Sequence, residues 1–168
     1  MSYPPPVYTG DGGVVSATFR PADAEPEVRY QNGGTAHYLA TGDATHGLFG
    51  LYRWEMSGPV SGPDPHFHRT ITEAFYILDG TIRIHDGRGW ADRQPGDFVY
   101  IPEGGIHGFR NESGEPASML ILFAPGAPRE DYFETLARVS HGLQMTEQEK
   151  LEFYLRHDNH WVSDVDWR

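Results

Sequence analysis

The 168-residue sequence contains no cysteine. That removes disulfides, thiolate nucleophiles and cysteine-built zinc sites, so any metal must be held by imidazole or carboxylate. A small secreted domain built on disulfides is excluded too. Basic residues are scarce, 13 Lys and Arg against 24 Asp and Glu, for a formal net charge of -11. Nucleic acid and anionic membranes need clustered cations, so neither is an expected partner, and a small neutral or metal-bound ligand fits better. No apolar run approaches the roughly 20 residues of a membrane span. The opening Met1-Ser2-Tyr3-Pro4-Pro5-Pro6 lacks the basic-then-apolar order of a signal peptide, which makes a cytoplasmic location the expectation.

What is present fits one domain, since this length buries an adequate core and leaves little room for a second. Residues 1–34 read as an arm rich in Pro and Gly, within which Val14 to Arg20 is the candidate strand. From residue 35 to 126, short β-rich runs are broken by Gly, Pro and Asp, the pattern of a sandwich or barrel. The candidate strands are 35–40, 48–55, 66–68, 73–78, 81–85, 97–101, 107–111 and 117–123. Asp79-Gly80 and Asp86-Gly87 have the composition of hairpin turns, so their flanking strands are expected to pair antiparallel. Residues 127–168 form a tail in which 128–140 and 146–156 have helical spacing. Thr146 with Glu149 reads as a capping box, and Leu151, Tyr154 and Leu155 as the packed face of the second helix. The acidic residues of this tail read as a solvated face.

The chemistry concentrates in four residues. His66 and His68 lie two apart in an extended segment, so both imidazoles leave one face while Phe67 leaves the other. Glu73 is an odd number of residues further on, so the chain must bend between Arg69 and Thr72 to return its carboxylate to that face. Parity restarting there puts Glu73, Phe75 and Ile77 on one face. His107 has to arrive from a third segment, turned by Pro102 and Gly104-Gly105. Three imidazoles and a carboxylate suit one divalent transition metal, Fe, Mn, Ni, Co, Zn or Cu, and leave positions for a guest. Two positive charges less one carboxylate leave a net +1, which would stabilise an enolate, phenolate or carboxylate. The bland alternative is a set of ordinary polar barrel residues. The other histidines, His37, His46, His85, His141, His157 and His160, read as surface or structural, although His157 and His160 have the spacing to face one another on a helix.

These residues resemble the cupins. The family's second motif, Gly, five residues, Pro, one, Gly, two, His, three, Asn, is met by Gly96, Pro102, Gly104, His107 and Asn111. Its first motif is met by His66, His68, Glu73 and Gly80, with Val60, between Gly58 and Gly62, where the opening glycine belongs. The gap from Thr81 to Pro95 is as short as in small microbial single-domain members. The resemblance implies an all-β, jelly-roll double-stranded β-helix with the helical tail outside the signature, and metal ligands His66, His68, Glu73 and His107.

Cupins catalyse many reactions, so function has to be argued from the site. The resemblance implies a quercetinase-like dioxygenase acting on a flavonol-like, enolisable or phenolic small molecule with dioxygen. Glu73 would serve as ligand and as acceptor of the substrate's hydroxyl proton. Phe75 and Phe109, each two residues from a ligand, are the candidate pocket walls. The alternatives are a non-redox cyclase or isomerase of the polyketide type and a non-catalytic small-molecule-binding module. Family members commonly pair through N-terminal strands, so a homodimer is also implied.

Overall fold

The computed structural model describes residues 2–162; the first residue of the arm and the last six of the tail lie outside the described residues. Eleven strands and two helices follow in order: β1 (Val28–Arg29), β2 (Thr35–Ala40), β3 (Gly50–Met56), β4 (His66–Phe67), β5 (Thr72–Asp79), β6 (Ile82–His85), β7 (Trp90–Arg93), β8 (Phe98–Ile101), β9 (Gly108–Arg110), β10 (Ala117–Ala124), α1 (Glu130–Ser140), α2 (Glu147–Arg156) and β11 (His160–Trp161). None of these helices is long and apolar enough to cross a membrane.

Six strands form one sheet in the order β1-β2-β3-β10-β5-β8. The second layer is β7-β6-β9, continued across a backbone bridge between His66 and His107 to the β4-β11 pair. All pairings are antiparallel, as befits a jelly roll. Period-two alternation decides the faces. In β10, Ala117, Met119, Ile121 and Phe123 are buried while the intervening residues are half-exposed. In β5, Glu73, Phe75 and Ile77 point inward and Tyr76 outward. Ile82 and Ile84 of β6 complete the core from the other layer, each worth roughly 1.5–3 kcal/mol of apolar burial.

Four sequence expectations need correction. Val14 to Arg20 forms no strand; Val14, Val15 and Phe19 are exposed, and the strand of the arm is β1, where an edge of the large sheet offers a partner. Asp79-Gly80 does not close a hairpin, because β5 and β6 belong to different sheets and the turn carries the chain from one layer to the other. Asp86-Gly87 does lie in a hairpin, with β6 and β7 paired from Ile82–Arg93 to His85–Trp90. In α2 the capping box of Thr146 and Glu149 forms, but the buried residue is Phe153, beside half-buried Tyr154, whereas Leu151 and Leu155 are 51% and 48% exposed. Phe153 stacks on Tyr132 of α1 at 5.3 Å, so helix packs on helix through aromatic rings rather than through leucines. Finally, α2 ends at Arg156, so His157 and His160 share no helix face: His157 lies 3.2 Å from Asp131 and His160 lies 3.1 Å from Asp158.

Candidate metal centre

His66 and His107 come together because their backbones pair, each amide donating to the other's carbonyl at 2.8 Å. His68 leaves the same face as His66, its ring 5.0 Å away, while Phe67 points outward and stacks on His160. The turn at Pro102 to Gly105 is tied to this segment by the Gly104 amide, which donates to the His68 carbonyl at 2.7 Å. The bend required after His68 has a specific cause. The Asp158 carboxylate accepts from the amides of Arg69 and Thr70, at 2.9 and 2.7 Å, and from the Thr70 hydroxyl at 2.7 Å. The chain therefore turns before β5 begins and Glu73 enters on the histidine face.

The ligand atoms of His66, His68, Glu73 and His107 lie within 4.8 Å of one another, and all four residues are buried. An ion about 2.0–2.2 Å from each donor needs separations of at most about 4.4 Å, so the set requires adjustment by only tenths of an ångström. The tautomers agree with this. Nδ1 of His66 donates to the Asp64 carbonyl at 2.8 Å, that of His68 to the Asp158 carbonyl at 2.6 Å, and that of His107 to the Gly105 carbonyl at 2.9 Å. Each bond commits the ring proton to Nδ1 and leaves an Nε2 lone pair facing the shared point. Glu73 Oε2 sits 3.1 Å from His68 Nε2 and 2.8 Å from His107 Nε2. Lone pairs that close repel unless a cation lies among them, so the donor set fits a divalent metal.

The electrostatics point the same way. Without a cation among the donors, a proton on Nε2 has to take its place: burial alone would raise the Glu73 carboxyl, but the charge and hydrogen bond of a protonated His107, with a further hydrogen bond from His68, then hold it well below the usual carboxylate range. Burial disfavours a charged His107, yet Glu73 outweighs that and raises it. His66 is pushed down to about 3, by burial first and then by the charge of His107. The centre is thus built to hold one carboxylate and positive charge together.

A cavity of about 620 Å³ opens onto His66 and Glu73. Of the two expected walls, Phe109 lines it, whereas Phe75 lies behind, packed edge-on against Phe109 at 5.5 Å. Much of the remaining wall is aromatic and comes partly from the tail, with Trp54, Phe123, Tyr132, Phe133, Tyr154 and Trp161, beside polar residues that include Glu55 and Asp64. The sequence reading missed this contribution, and it missed Arg129 and Asn159, which line the same cavity. The one available signal was the density of aromatic residues in the tail.

A cupin-domain family model matches residues 54–123, from the middle of β3 to near the end of β10, a span carrying all four candidate ligands. The chain is 34% identical over 118 residues to quercetin 2,3-dioxygenase of Bacillus subtilis, which covers 61% of this chain and 33% of that one. It is 30% identical over 67 residues to an uncharacterized protein of Aquifex aeolicus, covering 40% of this chain and 54% of that one. The matches therefore span about a third and about half of these relatives' lengths. Among solved structures, a predicted oxalate decarboxylase of Thermotoga maritima aligns with a TM-score of 0.57 at 23% identity, over 65% of this chain and 99% of that one. The polyketide cyclase RemF of Streptomyces resistomycificus aligns with a TM-score of 0.54 at 24% identity, over 64% and 78%. At such identities these neighbours speak for the fold. Motifs in order and the matched model identify a cupin domain over residues 54–123, and the solved neighbours share its fold.

Proposed function

We propose that the protein is a metal-dependent dioxygenase acting on a planar, enolisable or phenolic small molecule. The observation that carries this reading is the set of three Nδ1-tethered imidazoles and one carboxylate, of which His66 and Glu73 face a cavity rich in aromatic side chains. The partial likeness to quercetin 2,3-dioxygenase supports the reaction class.

A divalent transition metal, when bound, supplies Lewis acidity and, for a redox-active ion, one-electron chemistry with dioxygen. The chain's own residues do the rest. His66, His68 and His107 hold neutral donors in fixed orientation. Glu73 keeps Oε2 against His68 and His107, which leaves Oε1 to accept the substrate's hydroxyl proton. Trp54 and Phe109 hold a flat ring and exclude water, which strengthens each polar contact inside.

The test is elemental analysis of the purified protein, followed by reconstitution with Fe, Ni, Mn or Co and measurement of oxygen uptake with flavonols and other enolisable phenols. Uptake that Glu73→Ala abolishes is the expected result. No uptake with any metal, or turnover with zinc under anaerobic conditions, overturns it; the latter outcome would identify a cyclase or isomerase.

A further inference from the structure

Two polar side chains of the tail line the cavity with donors that the fold leaves unused. Arg129, just ahead of α1, is 4% exposed. Its Nη1 donates to the His157 carbonyl at 2.7 Å, and its guanidinium carbon lies 4.2 and 4.8 Å from the ring centroids of Tyr132 and Phe123. Its Nε is buried and meets no acceptor among the described residues, where the guanidinium also has no carboxylate partner. Asn159 is 1% exposed. The Tyr132 hydroxyl donates to its Oδ1 at 3.4 Å, and Nδ2 is buried without an acceptor among the described residues. A buried donor without an acceptor is destabilising, and a buried unpaired cation more so. Two of them in one cavity wall make sense where a ligand brings the acceptors.

We propose that Arg129 and Asn159 form a carboxylate subsite, and that the cavity takes a planar aromatic acid whose carboxylate they hold while its ring lies against Trp54 and Phe109. The guanidinium fork matches a carboxylate's two oxygens, and the Asn159 amide adds a third donor. The net charge of -11 disfavours anions at long range, but a screened surface charge counts for little beside a desolvated cation within the cavity. Both residues lie outside the matched domain, 54–123, so the tail would select the substrate while the barrel holds the metal. This inference rests on the cavity being the substrate pocket of the proposed enzyme, and it narrows the substrate from phenols in general to aromatic acids.

Metal-free protein is titrated calorimetrically with 2-naphthoate and with methyl 2-naphthoate. The acid is expected to bind at least about 10-fold tighter than the ester. Arg129→Gln and Asn159→Asp should each remove most of that preference, while an unchanged far-ultraviolet spectrum and unfolding midpoint report an intact fold. Asn159→Asp is nearly isosteric and carries the test alone should Arg129→Gln fail to fold. Equal binding of acid and ester, no binding of either, or a preference that survives both substitutions overturns the subsite. Metal content is measured in parallel. A preference in protein that binds no metal sinks the enzyme reading and keeps the subsite, whereas bound metal without a preference does the reverse.

Discussion

Asp158 acts on the candidate metal centre from 90 positions beyond His68, and it does so twice. Its backbone carbonyl receives the His68 Nδ1 proton, and its carboxylate holds the bend at Arg69 and Thr70 that turns Glu73 inward. Its φ of 56° is one that Asp and Asn tolerate better than most residues. Asp158→Ala removes the carboxylate and adds backbone strain, so metal affinity should fall about 10–100-fold, as read by competition with a chelating dye. Asp158→Asn keeps an acceptor and a compatible φ and should lose less. Undiminished affinity in Asp158→Ala would mean that the bend holds itself. The four candidate ligands were legible in the sequence through residue type and the cupin motifs, although spacing alone put only His66 and His68 on one face. Asp158 was not, because its role is to satisfy backbone amides that only the fold brings near it, and in the sequence it is one more acid in an acidic tail.

Elements were legible where pattern and partner coincide. β10 alternates on two buried neighbours, and Thr146 caps α2 through bonds that are local in sequence. They were illegible where tertiary contact chooses among equivalent patterns. Asp79-Gly80 has hairpin chemistry but spans two sheets, and α2 buries Phe153 because α1 presents Tyr132 to it. The missing opening glycine of the first motif is an instructive case. Val60, which stands there, is 70% exposed, and the tight approach falls two residues later. Gly62 has φ +127°, and a Cβ on it would lie 2.0 Å from the Phe109 carbonyl oxygen, in the strand that follows His107. Motif residue Gly104 also has positive φ, +78°, but open space around it. Gly62→Ala should therefore cost at least about 2 kcal/mol and Gly104→Ala about 1 kcal/mol, measured by urea unfolding. Equal costs would mean that strain alone, and not the approach of the two backbones, sets the requirement at Gly62.

At the scale of the whole molecule, the barrel and tail close on one another through β4 and β11, while two apolar surfaces remain uncovered. The arm is pinned at Arg20, which donates to Glu27 at 2.9 Å, and before that point Val7, Val15 and Phe19 are almost fully exposed. On the edge strand β8, Phe98 and Tyr100 are 64% and 59% exposed, next to Tyr76 of β5. Isolated apolar side chains at the surface are ordinary, but an arm with several exposed apolar side chains and an aromatic strand face together suit an interface between copies. Pairing through N-terminal strands, which the resemblance implies, would lay each arm on the partner and give its apolar side chains a surface to cover. Light scattering should accordingly give a mass near twice 18.9 kDa. Deleting residues 2–19 should return the mass to that of one chain with the far-ultraviolet spectrum of the barrel retained, because no described strand or helix is lost. A monomeric mass for the full chain would refute pairing altogether, and a dimer that survives the deletion would move the interface from the arm to the aromatic face of β8.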